Sequence, residues 1–288
     1  MAQRVLLTGI TGYIGQQCGA ELLRQGYEVI GTVRSPAKAD DTKAAIAKVA
    51  PAEALTFAEA DLLSDTVWDE AMQGCTFVVH AASPFVLAFQ KDENQLIRPA
   101  VEGTQRVMAA AQRAGVKRLV LTSSTVAISA GKGSGRYGPD SWSNTEAQIG
   151  AYAKSKTLAE RAAWETAATG DMELVVINPG AVAGPSLGAH EDSQSVTMVS
   201  DMIGGKVPMI PDFWRGWSMS AGYAKVPSRK APTIALKAIS LFDSEVKGML
   251  PLLGTKAAFD NHATLKTLDW QPTAMQTSFT EMANALSA

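Results

Sequence analysis

The sequence predicts an α/β chain built on a doubly wound parallel sheet. Three observations carry that expectation. Short β-branched runs alternate with longer Ala/Leu-rich periodic segments as far as residue 177, a glycine-rich turn joins the first strand to the first helix, and the alternation stops beyond Gly184. At 288 residues and 46% hydrophobic content, the chain is long enough for one large unit with a sizeable core and a smaller appendage.

Taken in order, residues 4–8 read as a strand, 15–25 as a helix and 28–33 as a second strand, the sequence form of a βαβ unit. The pattern continues with strand 56–59, helix 67–72, strand 76–81, helix 97–113, strand 118–122, helix 152–166 and strand 173–177, giving six parallel strands. After Gly184 the sequence turns rich in Gly, Pro and Met, with aromatic residues Phe213, Trp214 and Trp217, and only 233–242 reads clearly as helix.

Composition narrows the partners. With 26 Lys+Arg against 28 Asp+Glu the net charge is −2, which offers no broad positive field for nucleic acid or an anionic membrane, so a small-molecule partner is expected. Cys18 and Cys75 sit in segments that read as buried helix or strand edge, and neither a disulfide framework nor a metal site is expected. The apolar run 5–7 is interrupted at Thr8 and Gly9, too soon for a signal-peptide core or a membrane span, and a cytoplasmic location is expected. The apolar helix 97–111 is a candidate dimer face, so a monomer or a homodimer is expected.

Directly after the first strand comes Thr8-Gly9-Ile10-Thr11-Gly12-Tyr13-Ile14-Gly15. Glycines here let the backbone turn sharply and approach a pyrophosphate at a helix N-terminus, so Thr8, Gly9, Thr11, Gly12, Tyr13, Ile14 and Gly15 are candidate cofactor ligands in a Rossmann-type fold. The spacing is GxxGxxG, the form seen in short-chain dehydrogenases. Where a carboxylate would receive the ribose hydroxyl of NAD, the chain has Arg34, with Lys38 four residues on. A carboxylate would repel a 2′-phosphate, whereas a guanidinium can fork onto it, so NADP(H) is favoured over NAD(H). Asp61, followed by Leu62, is a candidate acceptor for the adenine amine. On this reading residues 1–180 form the NADP-binding domain and 181–288 a small, shortened substrate-side subdomain, interleaved in one compact unit.

The chemistry-bearing residues come next. Strand 117–122 ends in Ser123-Ser124, and Tyr152 and Lys156 lie four apart on a later helix, hence on one face. A lysine ammonium and the nicotinamide ring would together lower a phenol pKa that is ordinarily about 10. Tyr152 is then the expected proton donor, Ser124 the hydrogen-bond donor to the substrate oxygen, and Ser123 a support residue.

These phrases, with Gly31 to Arg34, His80 to Phe85, Pro99 to Thr104, Leu121 to Ser124, Tyr152 to Glu160 and Ile177 to Pro179, resemble the extended short-chain dehydrogenases of the dihydroflavonol reductase, cinnamoyl-CoA reductase and yeast methylglyoxal reductase group, over residues 3–217. The resemblance implies Ser124, Tyr152 and Lys156 as the active triad and Arg34 and Lys38 on the 2′-phosphate. It also implies Ala81, Ala82, Ser83 and Thr122 beside the cofactor, and Pro179, Gly180 and Val182 along the nicotinamide. Ser83 and Phe85 join Ser124 and Tyr152 on the substrate side, and His80 becomes a strand-end residue rather than a base. His190 and His262 are read as loop residues. The resemblance implies an NADPH-dependent carbonyl reductase. An epimerase or dehydratase would prefer an acid at Arg34, and a non-catalytic NADP(H) sensor would have lost Tyr152 or Lys156. The chain departs from the group in lacking the Asn-Trp-Tyr-Cys core, which argues against a CoA thioester, and in passing from Ser220 to Pro227 without the helix entry that relatives carry.

Overall fold

The computed structural model describes residues 2–86, 88–188, 193–206, 209 and 231–287. Its centre is a six-stranded parallel sheet in the order β3-β2-β1-β4-β5-β7, formed by β1 (Arg4–Thr8), β2 (Glu28–Val33), β3 (Leu55–Glu59), β4 (Phe77–His80), β5 (Arg118–Thr122) and β7 (Glu173–Ile177). All six expected strands are present, with ends shifted by one residue or not at all. The chain winds outward from β1 in one direction and from β4 in the other, so a crevice opens at the carboxyl ends of these two neighbours, the switch point where such sheets bind ligands.

Near-continuous apolar runs suit strands covered on both faces. Leu6, Val78 and Leu119 pack in one buried layer with Met108, Val107 and Ala163, while Leu7, Val29 and Leu55 face the other layer with Ile10, Ala20 and Leu23. Burying each such side chain fully contributes on the order of 2 kcal/mol. The helices α1 (Tyr13–Arg24), α2 (Ala39–Ala47), α3 (Trp68–Ala71), α4 (Asn94–Arg113), α5 (Val126–Ser129) and α6 (Gly150–Ala167) flank the sheet. On α4 the residues Ala100, Val107, Met108, Ala110 and Ala111 are buried within this chain. The apolar stripe read as a dimer face is therefore core: it packs under the sheet and along α6.

The C-terminal part holds more regular structure than the sequence expectation allowed. Helix α7 (Gln194–Ile203) packs Val196, Val199 and Met202 against Phe279, Met282 and Ala283 of the last helix, Met275–Ser287. The expected helix at 233–242 covers Thr233–Ile239. His262, expected in a loop, instead opens the helix His262–Leu268, where Asp260 Oδ1 accepts from its backbone N–H. A two-stranded parallel ladder joins β6 (Gly135–Tyr137) to β8 (Ala257–Phe259), closed by an Arg136–Asp260 ion pair. His190, Phe213, Trp214, Trp217 and the stretch 220–227 lie outside the described residues. No helix of the described residues is long and apolar enough to cross a membrane.

Candidate active site

The crevice has a backbone-built side and a side-chain-built side. On the first, Gly9 adopts φ +72°, and a Cβ there would fall 2.9 Å from the backbone of Ala82. Gly15 is under a stronger constraint, since its Cβ would come within 2.1 Å of the Gly9 carbonyl oxygen. Gly12 stands at the N-cap of α1 without a side-chain cap, its N–H donating to Gly9 O at 3.0 Å, with Thr11 and Ile14 half-buried around it. Glycine at 9 and 15 lets the loop close against Ala82 and onto its own backbone, and Gly12 leaves the N-terminus of α1 without a side-chain cap; this fits a pyrophosphate. Tyr13 donates its hydroxyl to Gly184 O at 2.6 Å, and burial pushes its phenol up to about 12.

Arg34 and Lys38 are both exposed just past the end of β2, and among the described residues neither makes an ion pair, which leaves two cations available to a 2′-phosphate. Asp61 is exposed at the end of the third strand's loop, where its Oδ1 accepts from Leu63 N–H at 2.7 Å, and Leu62 packs over Gly103 of α4. One carboxylate oxygen of Asp61 thus closes its own turn.

A buried histidine joins the two sides. Thr8 Oγ1 accepts from Ala82 N–H at 3.0 Å and lies 2.7 Å from His80 Nδ1, while His80 Nε2 lies 3.4 Å from Thr104 Oγ1. Both ring nitrogens of His80 are thus hydrogen-bonded to threonine hydroxyls. Burial and the nearby Lys156 charge hold His80 neutral, its pKa brought down to about 3. This relay sets Ala82 against Gly9, with Ala81 and Ser83 half-buried beside it.

On the second side, α6 carries Tyr152 and Lys156 one turn apart. The Ser124 hydroxyl donates to Pro179 O at 3.5 Å, and its side chain acts to hold the Tyr152 phenol down. Ser123 Oγ is buried and, among the described residues, has no hydrogen-bond partner. Of the two serines, Ser124 is the one whose side chain acts on the Tyr152 phenol. Lys156 Nζ donates to Thr122 O at 3.1 Å, and burial brings the ammonium down to about 8 against the opposing pull of Glu160. Burial pushes the Tyr152 phenol up to about 12, the Ser124 side chain acting in the opposite direction. Desolvation is the larger effect at this phenol, and Lys156 is aimed at the Thr122 carbonyl. A phenol held protonated is the form that gives up a proton.

The surrounding frame is specific. The exposed Phe85 ring meets Tyr152 edge-on with centroids 4.8 Å apart. Lys154 pairs with Glu93 at 2.7 Å, tying α6 to the start of α4, and Phe89 N–H donates to Ser244 O at 2.8 Å, tying the loop 83–92 to the C-terminal part. Ser143 is buried, donating to Val126 O at 2.6 Å and accepting from Ala130 N–H at 2.7 Å, so the loop before α6 is clamped beside α5. Pro179 and Val182 are half-buried and Gly180 exposed along the same rim. Sequence reasoning left Asn178 and Glu160 as parts of motifs without roles. Glu160 is buried with its Oε2 accepting from Asn178 Nδ2 at 2.7 Å, and its one signal in the sequence is that it continues the i, i+4 row of Tyr152 and Lys156.

The crevice has a glycine-rich turn on one side and Ser124, Tyr152 and Lys156 on the other, and the comparisons give the family. Residues 5–212 match the NAD dependent epimerase/dehydratase family, and the chain belongs to that family. Dihydroflavonol 4-reductase of Hordeum vulgare is 36% identical over 210 residues, 70% of this chain and 59% of that protein. Cinnamoyl-CoA reductase CAD2 of Medicago truncatula is 34% identical over 224 residues, 74% of this chain and 67% of that protein. This chain thus spans about three fifths of the length of the curated dihydroflavonol reductases it matches. Among solved structures, the yeast methylglyoxal/isovaleraldehyde reductase complexed with NADPH superposes with a TM-score of 0.73 at 22% identity, covering 99% of this chain and 98% of that one, which shows the same fold.

Proposed function

We propose that this protein is an NADPH-dependent reductase of ketones or aldehydes in which Tyr152 donates the proton. The observation that carries the reading is Tyr152 and Lys156 one turn apart on α6, with Lys156 Nζ donating to Thr122 O at the carboxyl end of β5, where Ser124 follows two residues on. Cofactor residues fit the assignment: Gly9, Gly12 and Gly15 form the cradle, and exposed Arg34 and Lys38 meet the 2′-phosphate, with Ala81, Ala82, Ser83, Thr122, Pro179, Gly180 and Val182 along the rest of the dinucleotide. When bound, the dihydronicotinamide supplies the hydride that reaches the carbonyl carbon.

The chain's own residues supply the remainder. Ser124 and Tyr152 hydrogen-bond the carbonyl oxygen as negative charge develops on it, and Tyr152 passes its proton to that oxygen. Lys156 stabilises the phenolate left behind. Phe85 and Ser83 line the substrate side, so a bulky or aromatic carbonyl compound suits the wall. Reductases among the relatives support the reaction type, and Arg34 in place of an acid favours reduction with NADPH over the sugar epimerisation that the family also includes. Two free thiols suit a reducing compartment, in keeping with a cytoplasmic place.

The test is oxidation of NADPH against a panel of aromatic ketones, diketones, methylglyoxal and a dihydroflavonol, with NADH in parallel. Consumption of NADPH with at least one of them is expected. NADPH binding without turnover across the panel would contradict the reading and favour a non-catalytic role.

A further inference from the structure

Glu160 has a burial that the reaction as described does not use. It is 4% exposed, in the interior between α6 and β7. Tyr152, Lys156 and Glu160 fall at i, i+4 and i+8 on α6, so the three share one stripe of the helix. A carboxylate taken out of water needs charge and hydrogen bonds around it, and both are found here. Asn178 Nδ2 donates to Glu160 Oε2 at 2.7 Å and also to the backbone oxygen of Ser124 at 3.2 Å. The same carboxylate acts electrostatically on Lys156. A single buried group therefore reaches two members of the candidate active group by separate routes, one through charge and one through an amide.

We propose, resting on the reductase reading above, that Glu160 is a positioning residue: it supplies the counter-charge to Lys156 and, through Asn178, holds the Ser124 backbone where its hydroxyl meets Tyr152. The other titratable groups facing Lys156 are Tyr152 on its own helix and His80 from β4, which is neutral and adds no charge. Of the remaining charges on α6 and the elements packed around it, Glu165 is exposed, and Arg98 and Arg106 pair with Glu102, Arg113 with Asp69, Arg118 with Glu173 and Lys154 with Glu93, while Arg161 lies over the Trp142 ring. Glu160 is thus the anion facing the buried ammonium.

The test reads Lys156 directly, without turnover. In the full chain carrying lysines labelled with carbon-13 at Cε, the Lys156 resonance is identified by its loss in Lys156→Met and titrated in the wild type and in Glu160→Gln. Removal of the counter-charge is expected to move the Lys156 midpoint down by about 1 pH unit, and Glu160→Asp, which keeps the charge, to leave it near the wild-type value. An unmoved midpoint in a folded Glu160→Gln overturns the proposal, whatever the enzyme reduces. Should Glu160→Gln fail to fold, Asn178→Ala tests the second route: kcat is expected to fall about 10-fold with KM and the Lys156 midpoint unchanged, and unchanged kcat overturns the proposal. Absence of any turnover in the wild type, with the Lys156 midpoint shifted as expected, would reject the reductase reading and leave the electrostatic role of Glu160 standing.

Discussion

The two sides of the crevice are made of different materials. Around Gly9 and Gly15 the surface is backbone, the constraint is steric, and the nearest charges are the exposed Arg34 and Lys38. Around Tyr152 it is side chains, and the constraint is electrostatic: His80, Lys156 and Glu160 are all buried within hydrogen-bonded surroundings. A backbone cradle is indifferent to pH and intolerant of any added carbon. A buried polar cluster accepts isosteric changes and answers to pH. Sequence substitutions and proton concentration should therefore separate the two sides.

The largest effect is expected on the first side. Gly15→Ala places a methyl group against the Gly9 carbonyl, and backbone cannot yield there without moving the loop. The NADPH dissociation constant, read by fluorescence titration, should rise by about 100-fold, or ~2.7 kcal/mol, while Tyr152-side variants leave it near the wild-type value. Unchanged affinity in Gly15→Ala would show that the cradle is not the binding loop.

Acid should break the second side. His80 titrates at about 3 in the fold against an ordinary 6.5, so the unfolded chain binds the extra proton across that window. Stability from the neutral imidazole is complete above pH 6.5 and is lost as pH falls toward 3, by on the order of 4 kcal/mol over the full range. Chemical denaturation from pH 7 to pH 4 should show this slope in the wild type and a flatter one in His80→Asn, whose side-chain oxygen can still accept from Thr8. Equal slopes in the two proteins would remove the buried-histidine account.

The smallest effect sharpens the comparison on the backbone side. Arg34→Ala should weaken NADPH by about 10-fold, or ~1.4 kcal/mol, and leave NADH nearly unchanged, since the guanidinium addresses only the 2′-phosphate. Equal losses for both cofactors would mean that Arg34 acts through the fold.

What was legible in the sequence follows the same divide. Six strands were readable because both faces of the sheet are covered, which makes residues such as Val29 to Ile30 or Leu119 to Leu121 continuous apolar runs. The cradle was readable because steric need for glycine leaves a spacing. Tyr152 and Lys156 were readable as a helical pair, but the balance of burial against charge at Tyr152 was not, because it depends on where Lys156 points. Helix α2 escaped because its only buried residues are Thr42, Ala45 and Ile46, too few for a clear stripe. Phe279, Met282 and Ala283 do form a stripe, but its partner on α7 lies some eighty residues earlier, and β6 finds β8 from farther still. Helix His262–Leu268 buries no residue, so neither periodicity nor packing marks it in the sequence.

The central claim is that the Tyr152 phenol gives its proton to the substrate oxygen. Steady-state kinetics of Tyr152→Phe with NADPH and the best carbonyl compound of the panel, beside an NADPH-binding titration of the same protein, test it most directly. A fall in kcat of at least about 100-fold with cofactor affinity intact is the predicted result, and retention of more than about a tenth of the wild-type rate would contradict it.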